Sequence, residues 1–417
     1  MPANRRSTRA ELNPVAVGGR RQPEDKAITS TATVISSQAD SALAGAELGR
    51  QIRDAFEGEA ADAIIVFASV RHDHRQLLES LALAAGTSTI VGASSAGEFS
   101  SGFRHEGAVS ALALRSATMR FSIGLGRNLS ADPTAAARRV GEGFQGRNAV
   151  ELPMPYHSAL VLTDALAGHS DLVVEALTLA TGGNYRFFGG GAGDDARFEK
   201  TWVFAGTEAF TDALVALEIN SLQPVGIGVS HGWVPAADAL RVTQVDGVRL
   251  ISLNSMPAVD AFEDHALATG QAFDRADPLP FFLHNVLGIE EGDGYRLRVP
   301  LGVQADGSIV CAAAIPDRSL VRMMKTSQES ASLAAEQATR AALEALGDNR
   351  PSAALVFDCV ATRLRLGIGF DDELGACASI LAPAPYVGCN THGQIARAEG
   401  QFGGFHNCTA VVCVFPA

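Results

Sequence analysis

Several features that would classify a 417-residue chain at once are missing. No apolar run is long enough to cross a membrane. The six cysteines are Cys311, Cys359, Cys377, Cys389, Cys408 and Cys413. None forms a CxxC pair, a zinc-ligand spacing or the CxxCH of covalent haem attachment. Few for the length and set mostly in apolar runs, they read as buried, reduced thiols of a cytoplasmic protein. A basic surplus is missing too. With 33 Lys and Arg against 46 Asp and Glu, the formal charge is -13, which opposes non-specific binding to nucleic acid or anionic membrane. Arg5, Arg6, Arg9, Arg20 and Arg21 have no apolar stretch between them, so the first residues are neither secretory signal nor anchor. Residues 1–28 are expected to form a disordered tail.

What is present is a folded composition, 47% hydrophobic and 19% charged, and an internal repeat. VGASSAGEF (91–99) returns as VGCNTHGQI (387–395). Each is preceded by an apolar run of strand length, DAIIVFASV (62–70) and SAALVFDCV (352–360), which sets Ser69 against Cys359. Each is followed by Gly-Phe, a histidine (His105 or His406) and a further alternating strand. A weaker third copy lies between them: strand 158–166, a helix over 171–181, the glycine turn FFGGGAGDD (187–195), and TWVFAG (201–206) with ALVALEI (213–219), expected to pair. The repeating unit is strand, helix, glycine-ended strand and returning hairpin.

Residues 224–350 repeat least. Asp246-Gly247 and Asp306-Gly307 each predict a hairpin. Asn254 or Ser255 is the expected N-cap of a helix with Pro257 in its first turn. Ser327–Leu346 is the clearest helix, with small residues from Ala331 to Ala345 on one face, suited to lying close on a sheet. Together these predict an α/β architecture, mixed sheets with helices in two related halves, 29–225 and 226–417.

The glycines of the repeated phrase serve the backbone. Gly92 and Gly388 close a strand, and Gly97 and Gly393 allow positive φ or close approach. The second copy alone carries Cys389 and His392 where the first has Ala93 and Ala96, with His406 following. Neither histidine has metal-site spacing. His72-Asp73-His74 reads as a solvated loop. GGGAGDD lacks the Lys-Ser/Thr of a phosphate-binding P-loop.

These stretches carry a family resemblance. VGASSAGEF and FFGGGAGDD resemble the N-terminal FIST domain. VFDCVATRLRLG, YVGCNTHGQI and GFHNCTAVVC resemble the C-terminal FIST domain. The resemblance implies an intracellular sensory domain that binds a small ligand, an amino acid in many members. Some stand-alone bacterial members are haem proteins that sense nitric oxide and regulate a partner histidine kinase. Carried over, Cys359 falls on the family's DC motif with Asp358 before it, and Arg363 lies one place late. His406 and Asn407 fall on the histidine–asparagine pair before Thr409. Cys408 stands where Gln is common, His392 where Tyr is expected, and Gln394 where Glu is expected.

Three readings of the chemistry follow. In the first, non-covalent haem b is held by His392 or His406, with Cys359 and Cys389 nearby, and nitric oxide weakens the bond trans to it. In the second, a haem-free sensor binds an amino acid or similar metabolite. The glycine turns at Gly388 and Gly393, with Asn407, Gln394 and Arg363, would hold it, and Asp358, Glu98 or Asp194 would take an ammonium group. In the third, Cys359 is a nucleophile served by a distant histidine; non-enzymatic sensing is preferred. The expected partners are a small molecule or gas, a sensor histidine kinase and a second copy of the chain, with no nucleic acid or membrane.

Overall fold

The computed structural model describes residues 29–101, 103–147, 154–292, 294–397 and 404–417; the expected tail over 1–28 lies outside them. Among these residues one order of elements occurs three times. The first unit is strand Thr29–Ser36, helix Ser41–Ala55, strand Ala63–Ala68, helix His74–Ala85, strand Ile90–Ser94, hairpin Glu98–Ser100 with Phe103–His105, and returning strand Val109–Ser116. The second runs from strand Met119–Arg127 through helices Pro133–Glu142 and Ser170–Ala180 to returning strand Ala213–Ser221. The third opens with strand Gly226–Ser230, resumes at helix Gln328–Leu346, and closes with strand Ala410–Pro416. The weak middle copy of the sequence is therefore a complete unit.

In each unit the strands flanking the second crossover are parallel neighbours, as Val66↔Gly92, Val161↔Gly189 and Val356↔Gly388. The hairpin does not stay in its own sheet. The first unit's hairpin pairs with the third unit's sheet (Cys389↔Glu98), the third's with the second's (Gln394↔Gly190), and the second's with the first's (Val203↔Ala93). This corrects the expected pairing of 201–206 with 213–219. Val203–Ala205 joins the first sheet, while Ala213–Ser221 lies between Met119–Arg127 and Tyr156–Thr163 in the second.

The three sheets turn their inner faces to one core, containing Phe67, Phe188, Phe357 and Phe415, and cover their outer faces with helices. Coverage on both faces explains why Ala63–Ala68 is buried at every position and reads as a continuous apolar run. The helices begin where short polar side chains can accept an orphan N–H: Asp40 from Leu43, Asp73 from Gln76, Asp132 from Ala135, Ser327 from Ser330. The alanine face of Gln328–Leu346 packs on Gly226–Ser230 so closely that a Cβ on Gly228 would collide with the Ala338 carbonyl.

Between Gly226–Ser230 and Gln328–Leu346 the third unit carries an insertion with its own nine-stranded sheet and core. Its hairpins turn at Asp246-Gly247 and Asp306-Gly307, as the sequence predicts. Its longer helix is Ala258–Thr269, with Pro257 at the N-cap position and no capping side chain. Asn254 and Ser255, expected to cap it, instead form a positive-φ turn between Leu253 and Met256.

Candidate ligand-binding site

The glycine turns of the three units meet at one point and exchange backbone hydrogen bonds. Gly193 N–H donates to Ser94 O, Ala96 N–H to Asn390 O, Asn390 N–H to Gly97 O, His392 N–H to Gly191 O, and Gly191 N–H to Gly393 O. By sheet register, Ala96, Gly193 and His392 are equivalent, as are Ser69, Asp164 and Cys359 at the preceding strand ends. The repeated phrase builds this junction, and its side chains decide what stands beside it.

A cavity of about 690 Å³ opens beside His392. The second unit contributes Ala165–Leu172, including Ser170 and Asp171 at the start of the Ser170–Ala180 helix. The third contributes Cys359, Val360, Ala361, Leu364, Gly393, Phe405 and Asn407. The insertion overhangs it with Gly247, Val248, Leu283, Val299 and Leu301. The walls are largely aliphatic, and Leu166, Leu172, Val248, Leu301 and Leu364 at its edge are exposed.

His392 is buried and stacks on Phe198, with ring centroids 4.6 Å apart and planes 13° from parallel. Burial lowers its pKa to about 4 against the pull of Asp194 and Asp164, so the imidazole is neutral at pH 7. Its Nε2 is 3.5 Å from Asp194 Oδ1, yet neither ring nitrogen has a hydrogen-bond partner. Asp194 is occupied elsewhere. It accepts from the backbone N–H of Arg197, Phe198, Glu199 and Lys200 at 2.6–3.1 Å, winding the loop so that Phe198 (φ 57°) faces His392. Asn407 donates to His406 O at 3.2 Å and leaves its buried Oδ1 unpartnered. Asp171 is paired with the fully buried Arg298 at 2.8 Å, which also donates to Ala314 O. An unpartnered imidazole and an unpartnered carboxamide oxygen, both buried in an apolar wall, are costly unless a ligand meets them.

Of the residues singled out from the sequence, His392, Cys359, Asn407 and Gly393 come together here. The others stand elsewhere. Strand alternation turns His406 away from the cavity that Phe405 lines; its Nε2 is 3.1 Å from Ala396 O and burial lowers its pKa to about 4. Cys389 faces the central core and burial raises its thiol. Gly388 accommodates the Phe99 ring. Glu98 is buried against Ser95 and the Ala108 N–H, and burial raises it to about 8. Asp358 lies behind the cavity wall with Glu373; burial raises both, Glu373 to about 7. Arg363 donates to Ala96 O and pairs with Glu106 at 3.2 Å. Gln394 is buried between Thr391, Thr409 and the Cys359 N–H. His72 and His74 are buried, contrary to the solvated-loop reading, because Asp73 caps a helix that packs them inward. All six cysteines are free and buried.

Phe198, Ser170, Asp171 and the insertion residues have no counterpart in the sequence reading. None of them is a candidate site residue from the sequence, and only the fold brings them to His392.

Haem can be tested against this donor set. The volume, the apolar walls and a neutral, uncommitted His392 suit an iron porphyrin. Among the described residues the cavity lining contains no Lys or Arg for the propionates, and its acidic members are Asp171 and Asp246. Among the described residues no group of three or more His, Cys, Asp or Glu could hold a bare metal ion, and no helix is long and apolar enough to cross a membrane.

Comparison with known proteins gives two family matches, the FIST N domain over residues 62–256 and the FIST C domain over 258–397. No curated protein matches. Among solved structures, PurLQS from Thermotoga maritima aligns at 14% identity over 93% of this chain and 72% of that one, with a TM-score of 0.22, too low for any inference.

Proposed function

The chain belongs to the FIST family, whose domains sense small ligands in signalling; from that premise we propose that its ligand occupies the cavity beside His392 and that occupancy is read by a partner, a cytoplasmic sensor histidine kinase. The observation that carries this reading is the pair of buried, unpartnered polar groups, His392 and Asn407 Oδ1, in a largely apolar wall. The complement is a ligand with an apolar body and one hydrogen-bonding head, donating to Asn407 and either donating to or accepting from the neutral imidazole. The absence of a lining cation favours a small metabolite without a free carboxylate over haem. Cys359 lies against Cys408 in one buried cluster, which favours sensing over catalysis.

Haem is the second reading, favoured by the uncommitted imidazole. His392 would hold the iron, and His406 would not, since it faces away. The group would supply a gas-binding position. The chain's own residues would orient His392 through Phe198, keep it neutral by burial and exclude water with the insertion's aliphatic residues.

For either ligand, signalling requires unequal affinity for two conformations. The insertion and the second unit contact each other across the cavity through Arg298 and Asp171, so a ligand between them can bias their separation. Titration with hemin, followed by reduction and nitric oxide, tests the second reading. A sharp Soret band lost in His392→Ala supports it, and a spectrum equal to free hemin removes it. A thermal-shift screen of neutral and cationic metabolites tests the first. Stabilisation that disappears in Asn407→Ala and His392→Ala is expected. A hit unaffected by both substitutions overturns the site.

A further inference from the structure

The cavity wall contains a second group that ligand sensing leaves unused. Cys359 ends strand Pro351–Cys359 and begins helix Val360–Leu366. Cys408 lies in the turn between the third unit's hairpin and its returning strand, with φ 51°, a left-handed conformation that a non-glycine residue adopts at a cost. The two share one buried cluster with Trp233, Val299 and Met324. Ala361 belongs to the same cluster, and Cys408 and Ala361 both lie against the Cys359 sulfur. Cys359 lines the large cavity, while Cys408 lies behind it beside Arg365 and Glu373.

We propose that Cys359 and Cys408 form a thiol–disulfide pair built into the ligand cavity, with Cys359 the sulfur that meets a hydroperoxide entering through the cavity and Cys408 the sulfur that resolves it. Three features separate this pair from the other four buried cysteines. Its two cysteines sit together in one buried cluster. Its Cys359 sulfur is surrounded by donors that stabilise a thiolate, whose pKa the Cys408 contact, ahead of the opposing effect of burial, lowers to about 6. Cys311, Cys377, Cys389 and Cys413, by contrast, are held above the ordinary thiol range by burial. The third feature is access, since Cys359 has the cavity before it.

The chemistry balances as follows. The Cys359 thiolate attacks one peroxide oxygen. The O–O bond breaks, hydroxide (or alkoxide from an organic hydroperoxide) leaves and takes up a proton, and Cys359 becomes a sulfenic acid. The Cys408 sulfur then displaces the sulfenic hydroxyl, an S–S bond forms and water departs with the thiol proton. The protein loses two electrons and two hydrogens, and the peroxide is reduced to two molecules of water or to water and an alcohol. The disulfide would join the helix start at Cys359, which lines the cavity, to the turn at Cys408, so oxidation and ligand binding act on the same wall.

The experiment is peroxide treatment of the folded full chain, thiol blocking and peptide mapping by mass spectrometry. The expected product is one Cys359–Cys408 cross-link lost on reduction, formed before any other cysteine is oxidised. In Cys408→Ser, a sulfenic acid should accumulate on Cys359 and react with dimedone; in Cys359→Ser, oxidation at 408 should slow by about tenfold or more. A first oxidation at another cysteine, or a Cys359 sulfenic acid that never closes in the wild-type chain, overturns the proposal. Circular dichroism verifies the folding of both variants. Should either fail to fold, the wild-type map alone decides. Hemin or metabolite binding plays no part in this readout, so its outcome is separate from that of the ligand proposal.

Discussion

Two corners of the molecule share one backbone plan and differ in what fills them. At the first, the strand end Ser69 meets the second unit's turn. Ser69 donates to Asp195 Oδ2 at 2.8 Å, with Arg71 3.9 Å from the same carboxylate. At the next, the strand end Asp164 meets the third unit's turn. Asp164 is satisfied by Thr201 and by the Asp212 and Leu166 N–H groups, while the His392 ring nitrogens and Asn407 Oδ1 have no such partners. One corner is closed by complementary side chains, and the other holds a cavity under an insertion. The difference teaches that the fold supplies a recurring junction, and that a binding site forms where the residues at the junction are left without internal partners.

The largest expected effect breaks the open corner. His392→Ala, which gives the third turn the residue its first-unit equivalent Ala96 already has, should weaken ligand binding by about tenfold or more, a loss of about 1.4 kcal/mol or more. His406→Ala should leave it within about threefold, as titration of either ligand class will show. Next, the junction itself can be strained. Gly193→Ala puts a Cβ against the Ala96 backbone, although His392 is accommodated at the same position one unit on. Overpacking there should lower stability by about 1–3 kcal/mol in denaturant unfolding. A smaller change opens the closed corner. Asp195→Ala removes the acceptor of Ser69 and should cost about 1 kcal/mol without creating ligand affinity, measured by the same unfolding and binding assays.

The effects of pH have opposite signs in two sets of residues. His74, His392 and His406 have folded pKa values of about 4 against an ordinary 6.5. The unfolded chain binds more protons between those values, so stability falls as pH drops from 6.5 towards 4. Glu98 is raised to about 8 from 4.5; its unfolded form is ionised where the folded form is not, so stability falls as pH rises from 4.5 towards 8. Glu98→Gln, which copies the third unit's Gln394, should flatten the alkaline limb alone. Chemical unfolding across pH 4–8 checks both.

Much of this architecture is legible in the residues. The paired phrases, the two Asp-Gly hairpins and the alanine face of Gln328–Leu346 all correspond to observed elements because each is a local pattern. The site is only half legible. His392 stands out as a substitution within a repeat, but nothing local distinguishes it from His406. That choice rests on which side of a two-residue strand faces the cavity. Glu98, Cys389 and Gly388 attract notice for the same repeat and are absorbed by packing. Phe198, Asp171 and the insertion's aliphatic residues are silent because three segments distant in sequence must fold before they become neighbours.

The exchange of hairpins has a consequence for how the chain is made. The first unit's hairpin belongs to the sheet built around Tyr386–Thr391, and Ser101 bonds Tyr386 across 285 residues. A ribosome delivers the hairpin well before its acceptor. While the residues between them are made the hairpin has no sheet to join, and its apolar Phe99, fully buried in the finished protein, has no cover. Domains that fold as they emerge are protected piece by piece. Here the first unit waits for the third, and a chain lacking the third unit would leave both the first unit's hairpin and the second unit's sheet edge for other chains to pair with.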